Sequence, residues 1–202
     1  MLGMNNNQPS DVTRMSLLSR AAEQDSRAWE QIVDLYGPLI AYWCRHSGLD
    51  THRAADCVQE VFAALARSLP TFRPQNKSGA FRAWLWTITS NKIKDLHRHD
   101  RRHPSPTGGS TAALAIGQIV DPLLDQEPSD DQQLSELMAR ALEQIRPEFE
   151  PRSWEIFHRA ALDKIDTATV ASEFDTTPAA IRQTRSRIMR RLRQQLGDVG
   201  DE

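Results

Sequence analysis

Wherever this 202-residue chain is apolar, the apolar residues recur in steps of three and four. Trp29, Ile32, Val33 and Tyr36 stand at i, i+3, i+4 and i+7. Ala54, Val58, Val61, Phe62 and Leu65 form a second stripe, and Phe81, Trp84, Leu85 and Ile88 a third. Leu134, Leu137, Met138, Ala141, Leu142 and Ile145 form a fourth. Such spacing keeps one face of a helix apolar. No stretch alternates apolar and polar residues between turn signals, as a half-buried strand does. The chain is therefore expected to be all-α.

One long segment breaks the pattern. From Pro104 to Ala139 there is no lysine or arginine, and six acids stand there: Asp121, Asp125, Glu127, Asp130, Asp131 and Glu136. Its first part is rich in Pro, Gly, Ser and Thr, the composition of a connector. The expected architecture is two small helical domains, 10–103 and 130–197, joined by a flexible acidic linker over 104–129. In the first domain, helices are expected over Val12 to Ala22, after an Asp25 or Ser26 cap, and from Asp50-Thr51. Another is expected from Ser78 beyond the loop "RPQNKSG". Gly37-Pro38 is expected to interrupt the second of these, with Leu39, Ile40 and Trp43 resuming it as far as Gly48. No internal repeat is present.

The remaining composition excludes more than it assigns. No run approaches the roughly 18 apolar residues of a spanning helix. The opening "MLGMNNNQPSD" lacks the basic end and apolar core of a secretory signal. Two cysteines, Cys44 and Cys57, are too few for a disulfide framework, and a cytoplasmic location fits. Cys44, His46, His52 and Cys57 lack zinc-site spacing. His97, His99, Asp100 and His103 are interleaved with Arg98, Arg101 and Arg102, whose positive field opposes a cation. No phosphate loop or nucleophile elbow occurs. Neither an enzyme nor a metal or other cofactor is expected.

The charge distribution is more telling than the net charge of −2. "AAIRQTRSRIMRRLRQQL", Ala179 to Leu196, holds six arginines and no acid. Thr177-Pro178 is a helix start: the hydroxyl can accept an early amide, and proline fits the first turn. At 100° per residue, Ile188 and Leu192 fall within about 20° of Ile181 and define the buried stripe. Arg182, Gln183, Ser186, Arg187, Arg190 and Arg193 spread over the opposite arc. A short helix with Val170, Ala171 and Phe174 precedes them, giving a helix-turn-helix. Arg and Gln near the start of its second helix can pair with guanine and adenine edges, while the later arginines suit phosphates.

At this point the chain resembles the extracytoplasmic-function sigma factors, which direct bacterial RNA polymerase to promoters. "AWEQIVDLYGPLIAYWCR", "AADCVQEVF" and "FRAWLWTITSNKIKDLHRHDRR" are similar to successive parts of sigma region two. "TATVASEFDTTPAAIRQTRSRIMRRLR" is similar to region four. The ordered strings Asp-x-x-Gln-Glu-Val-Phe and Phe-Arg-x-Trp-Leu-x-x-Ile carry most of the specificity. The resemblance implies core RNA polymerase and double- and single-stranded promoter DNA as partners, with an anti-sigma protein as a further candidate and no membrane.

It also implies site residues. Asp56, Gln59 and Glu60, off the apolar stripe, would dock on the polymerase clamp. Trp86, Ser90, Lys94, His97 and Arg101 follow one another at steps of 4, 4, 3 and 4, and with Asn91 and Arg98 would serve the melted minus-ten element. Aromatic and basic groups together suit single strands. The loop Phe72 to Gly79 matches the segment that forms a base pocket. Trp84 is expected in the core, and Trp86 is open between core and surface, because tryptophan is highly buried on average. Two departures stand out: Asp175 where the turn often has glycine, and Arg185 near the apolar side of its helix. Two rivals share fewer features: a transcription regulator with only the terminal helix-turn-helix, and a helical adaptor whose basic helix binds a membrane or protein.

Overall fold

The computed structural model describes residues 16–73, 77–102, 126–128 and 130–198. Among them every regular element is helical. In chain order these are α1 (Leu17–Ala22), α2 (Ser26–His46), α3 (Thr51–Ser68), α4 (Ala80–Arg102), α5 (Asp131–Ile145), α6 (Pro151–Phe157), α7 (Thr167–Glu173) and α8 (Pro178–Gln195). No helix among the described residues is long and apolar enough to cross a membrane. The expected helix start at Val12 and nearly all of the expected linker lie outside the described residues.

Local sequence explains most helix starts. Asp25 accepts the amides of Arg27 and Ala28 at 2.9 and 3.2 Å, and Asp50 those of His52 and Arg53 at 2.9 and 3.0 Å. Asp130 and Asp166 do the same for α5 and α7. Each cap satisfies amides that have no partner within the helix. The Arg20 guanidinium, hydrogen-bonded to Asp25, contributes most to holding that carboxyl below its ordinary pKa.

α2 is the spine. Ala28, Ile32, Leu35, Tyr36, Leu39, Ile40, Trp43 and Cys44 are all buried along it. A fully buried aliphatic or aromatic side chain contributes about 1.5–3 kcal/mol through removal from water. The expected interruption at Gly37-Pro38 is corrected: α2 runs unbroken through Pro38. Pro38 lies on the exposed side, so its missing amide costs one solvent-side hydrogen bond, while the buried stripe continues through Leu39, Ile40 and Trp43. α1, α3 and α4 pack around α2. Cys44 and Cys57, on α2 and α3, are both buried free thiols.

α5 docks directly on α2. Its Leu137, Ala141 and Ile145 are buried. Arg140 Nε donates to the Leu35 carbonyl at 3.4 Å, and Gln144 Nε2 to that of Gln31 at 3.1 Å. One apolar cluster therefore reaches from Leu17 to Leu196, across both sequence blocks. A second, smaller cluster of Ile156, Val170, Ala171 and Ile181 holds the last helices together.

Candidate nucleic-acid interface

α7 and α8 form the expected helix-turn-helix. Asp175, in the turn, has φ 44°, the left-handed conformation its residue type tolerates. Thr177 Oγ1 accepts the Ala180 amide at 3.2 Å, and Pro178 opens α8. Ile181, Ile188 and Leu192 are buried, as their spacing requires. Arg182, Gln183, Ser186, Arg187, Arg190 and Arg193 are all exposed, and so is Arg185.

The arginines are not equivalent. The Arg187 guanidinium lies over the Phe149 ring, 5.7 Å from its centroid, and its Nη2 donates to Ser153 Oγ at 3.4 Å. Arg191 donates two 2.6 Å hydrogen bonds to the carboxylate of Glu148. That fork is engaged inside the domain, which makes Arg191 a structural residue. Arg152 donates to the Phe174 carbonyl and ties α6 to the turn.

On α3, Asp56, Gln59 and Glu60 are exposed together. Glu60 accepts from Lys92 Nζ of α4 at 3.1 Å, and Arg53 pairs with Asp100 of α4 at 2.5 Å. The two ion pairs run in opposite senses, one with its acid on α3 and one with its acid on α4, and tie the two helices together.

α4 corrects part of the expected single-strand face. Phe81, Leu85, Trp86, Thr89, Ser90 and Ile93 are buried. Trp86, 6% exposed, packs against Trp43, and Ser90 is likewise 6% exposed. Neither presents itself to a DNA strand. Two hydroxyls disguised the core face as polar: Thr89 Oγ1 donates to the Leu85 carbonyl at 2.8 Å, and Ser90 Oγ to that of Thr87 at 3.2 Å. The outward arc holds Thr87, Asn91, Asp95 and Arg98 instead. Lys94 and His97 sit at its margin, with His97 Nε2 3.3 Å from the Ser47 carbonyl, and Arg98 pairs with Asp95. Arg101 occupies the penultimate position of α4.

Sequence reasoning missed an aromatic pair beside this arc. Phe72, at the start of the polar loop, stacks on Trp84 with centroids 4.6 Å apart and planes inclined by 29°. Both rings are half-buried. The signal was present, in a phenylalanine twelve residues before a tryptophan placed in the core, but nothing local linked the two. Residues 74–76 of the loop lie outside the described residues.

The described residues thus carry an exposed acidic patch on α3, a polar outward arc on α4 and an arginine-rich helix-turn-helix at α7 and α8. The family sigma-70 region 2 matches residues 32–103. RNA polymerase sigma factor CnrH of Cupriavidus metallidurans is 32% identical over 127 residues, 63% of either chain. ECF RNA polymerase sigma factor ShbA of Streptomyces griseus is 31% identical over 97 residues, 46% of this chain and 50% of that one. ECF RNA polymerase sigma factor SigE of Mycolicibacterium smegmatis is 27% identical over 200 residues, 95% of this chain and 69% of the relative. The chain thus spans 63% and 50% of the length of the first two of these relatives. The chain is thus similar to ECF RNA polymerase sigma factors, and its residues 32–103 match sigma-70 region 2.

Proposed function

We propose that the chain is an alternative sigma factor that binds core RNA polymerase, recognises promoter DNA and starts transcription, without a catalytic site of its own. Asp56, Gln59 and Glu60 dock on the polymerase. Asn91, Lys94, His97, Arg98 and Arg101, with the Phe72–Trp84 stack, meet the melted minus-ten element. Arg182, Gln183, Ser186, Arg187, Arg190 and Arg193 meet the minus-thirty-five duplex. Residues 10–103 and 130–197 are its functional halves, and it acts in the cytoplasm, where an anti-sigma protein is a fitting regulator.

The observation that supports this reading best is the shared solvent-facing arc of those six α8 residues, at the end of a chain whose residues 32–103 match sigma-70 region 2. Such an arc offers both base-reading forks and phosphate contacts. The experiment is reconstituted transcription with bacterial core polymerase on a library of genomic fragments. Promoter-specific RNA that depends on this chain is expected. An adaptor with a basic helix would give none.

A further inference from the structure

Ile181 packs in the smaller apolar cluster with Val170 and Ala171, whereas Ile188 and Leu192 belong to the larger one. α8 therefore passes from one core to the other between residues 181 and 188, and Arg185 stands at that passage. By rotation alone it belongs to the buried stripe, about 20° from Leu192 and 40° from Ile181. It is nevertheless exposed, in the gap that the two clusters leave between them. Among the described residues its guanidinium has no hydrogen-bond or ion-pair partner.

We propose that Arg185 is a phosphate contact: it grips one rim of the major groove and fixes how α8 is rolled between the two strands. The inference rests on the reading of α8 as the duplex-binding helix, and dimensions carry it further. The six residues assigned to the duplex are centred about 160° from Ile181, so Arg185 lies about 120° from that centre. A helix about 10–12 Å across nearly fills a groove about 12 Å wide and 8.5 Å deep. Its axis then runs roughly 3 Å below the two rims and about 6 Å from each. The phosphates of the rims accordingly stand about 115–120° from the inward direction, the angle of Arg185.

The matching angle on the other flank belongs to Arg191, whose fork is already held by Glu148. Arg185 is the member of this pair that is open to a phosphate. Its stem can lie along the apolar stripe while the head reaches outward, and a guanidinium fork fits two phosphate oxygens. Such a contact carries no sequence information of its own. Arg185 is therefore a positioning residue: by setting the roll of the helix it aims the base-reading side chains.

The test is binding of the full chain to a duplex carrying a transcribed promoter and to one of scrambled sequence, across a salt series. The variants are Arg185→Leu, Arg185→Gln and Arg185→Lys, with Arg190→Ala as the reference. Arg185→Leu should weaken both duplexes alike, roughly eightfold at 0.1 M salt and little near 1 M, and lower the salt slope by about 0.9, the value of one lost phosphate contact. Arg185→Lys, which keeps the charge, should restore most of the slope. Should Arg185→Leu lower helix content by circular dichroism, Arg185→Gln, neutral but polar, decides. Full affinity and slope in a well-folded neutral variant, with Arg190→Ala weakened, overturns the phosphate contact and leaves α8 as the DNA helix. A loss on the promoter duplex alone overturns it too, because that is base reading. Unchanged binding in every variant, Arg190→Ala included, removes the duplex reading of α8 and the contact with it.

Discussion

Trp86 packs edge-on against Trp43, their ring centroids 5.4 Å apart and their planes at 66°. This pairing joins α4 to α2 inside the core, so the indole of Trp86 is a structural group. Trp86→Ala should destabilise the fold by about 3–5 kcal/mol, the range for removing a buried aromatic. Denaturant unfolding followed by circular dichroism measures it. A loss below about 1 kcal/mol, the scale of a typical point substitution, would mean that the ring does not hold the two helices together.

Asn91 and Arg98, on the outward arc of α4, should behave in the opposite way. Asn91→Ala with Arg98→Ala should leave stability within about 0.5 kcal/mol, as surface changes usually do. The pair should reduce open-complex formation more than polymerase binding. Permanganate reactivity of the melted strand reads the first, and equilibrium binding to core polymerase the second. A normal bubble would take this arc out of the melting step.

The docking face gives a third expectation. Glu60 is an exposed partner of Lys92, and an exposed ion pair contributes about 1 kcal/mol or less. Gln59→Ala with Glu60→Ala should therefore barely change the melting temperature. It should weaken core-polymerase binding by about 2 kcal/mol if these residues sit at an interface centre. Unchanged affinity with unchanged circular dichroism assigns docking elsewhere.

On α8 three arginines should separate. Arg187→Ala should cost about 1–3 kcal/mol on the preferred promoter duplex and little on a scrambled one. Arg190→Ala should weaken both and lower the salt slope by about one unit. Arg191→Ala, losing its fork on Glu148, should lower stability by about 1.5–3 kcal/mol, the range for hydrogen bonds to charged groups. Duplex binding across a salt series, with thermal unfolding alongside, distinguishes the three. Equal losses for Arg187→Ala and Arg190→Ala on both DNAs would erase the difference between reading and holding.

Acid should tighten the contact made by Asp198. Burial, the largest influence, pushes its carboxyl above the ordinary 3.8, against the Gly79 amide and Arg82. Burial raises Glu127 as well, against Arg82, so the two acids act in the same sense. A raised acid pKa means that the folded chain binds the proton more tightly than the unfolded one. This contribution to folding stability is thus fully present at low pH and is lost as pH rises from 3.8 through the raised value. Denaturant unfolding at several pH values, compared with Asp198→Asn, should show the unaltered chain losing stability relative to the variant over that rise. A relative gain with rising pH would reverse the assignment.

Much of this was legible in the sequence. Apolar spacing placed the buried stripes of α2, α3, α5 and α8, because a packed helix must bury one continuous face. Thr177-Pro178 marked the start of α8, and the tolerance of Asp175 for positive φ was readable from its residue type. Pro38 misled because a helix-breaking residue on the solvent side of a long, well-packed helix loses little. Trp86 and Ser90 misled because α4 is covered by both α2 and α3. Its buried arc is wider than an ordinary amphipathic stripe, and hydroxyls bonded to their own helix can enter it. The cap of α4 by Asp198 had no local signal at all, since tertiary packing alone brings residues 79 and 198 together.

The stacking of Arg187 on Phe149 has a consequence in entropy. A long side chain ordered only on binding costs about 0.5–1.5 kcal/mol in lost rotamer freedom. Arg187, seated on a ring and anchored to Ser153, has given up much of that freedom during folding, whereas Arg182 and Arg190 keep theirs until they meet a partner. The helix thus presents one preset fork among mobile ones. Phe149, beneath the guanidinium, governs how rigid the fork is. Phe149→Leu would return Arg187 to the mobile set, charge and position intact.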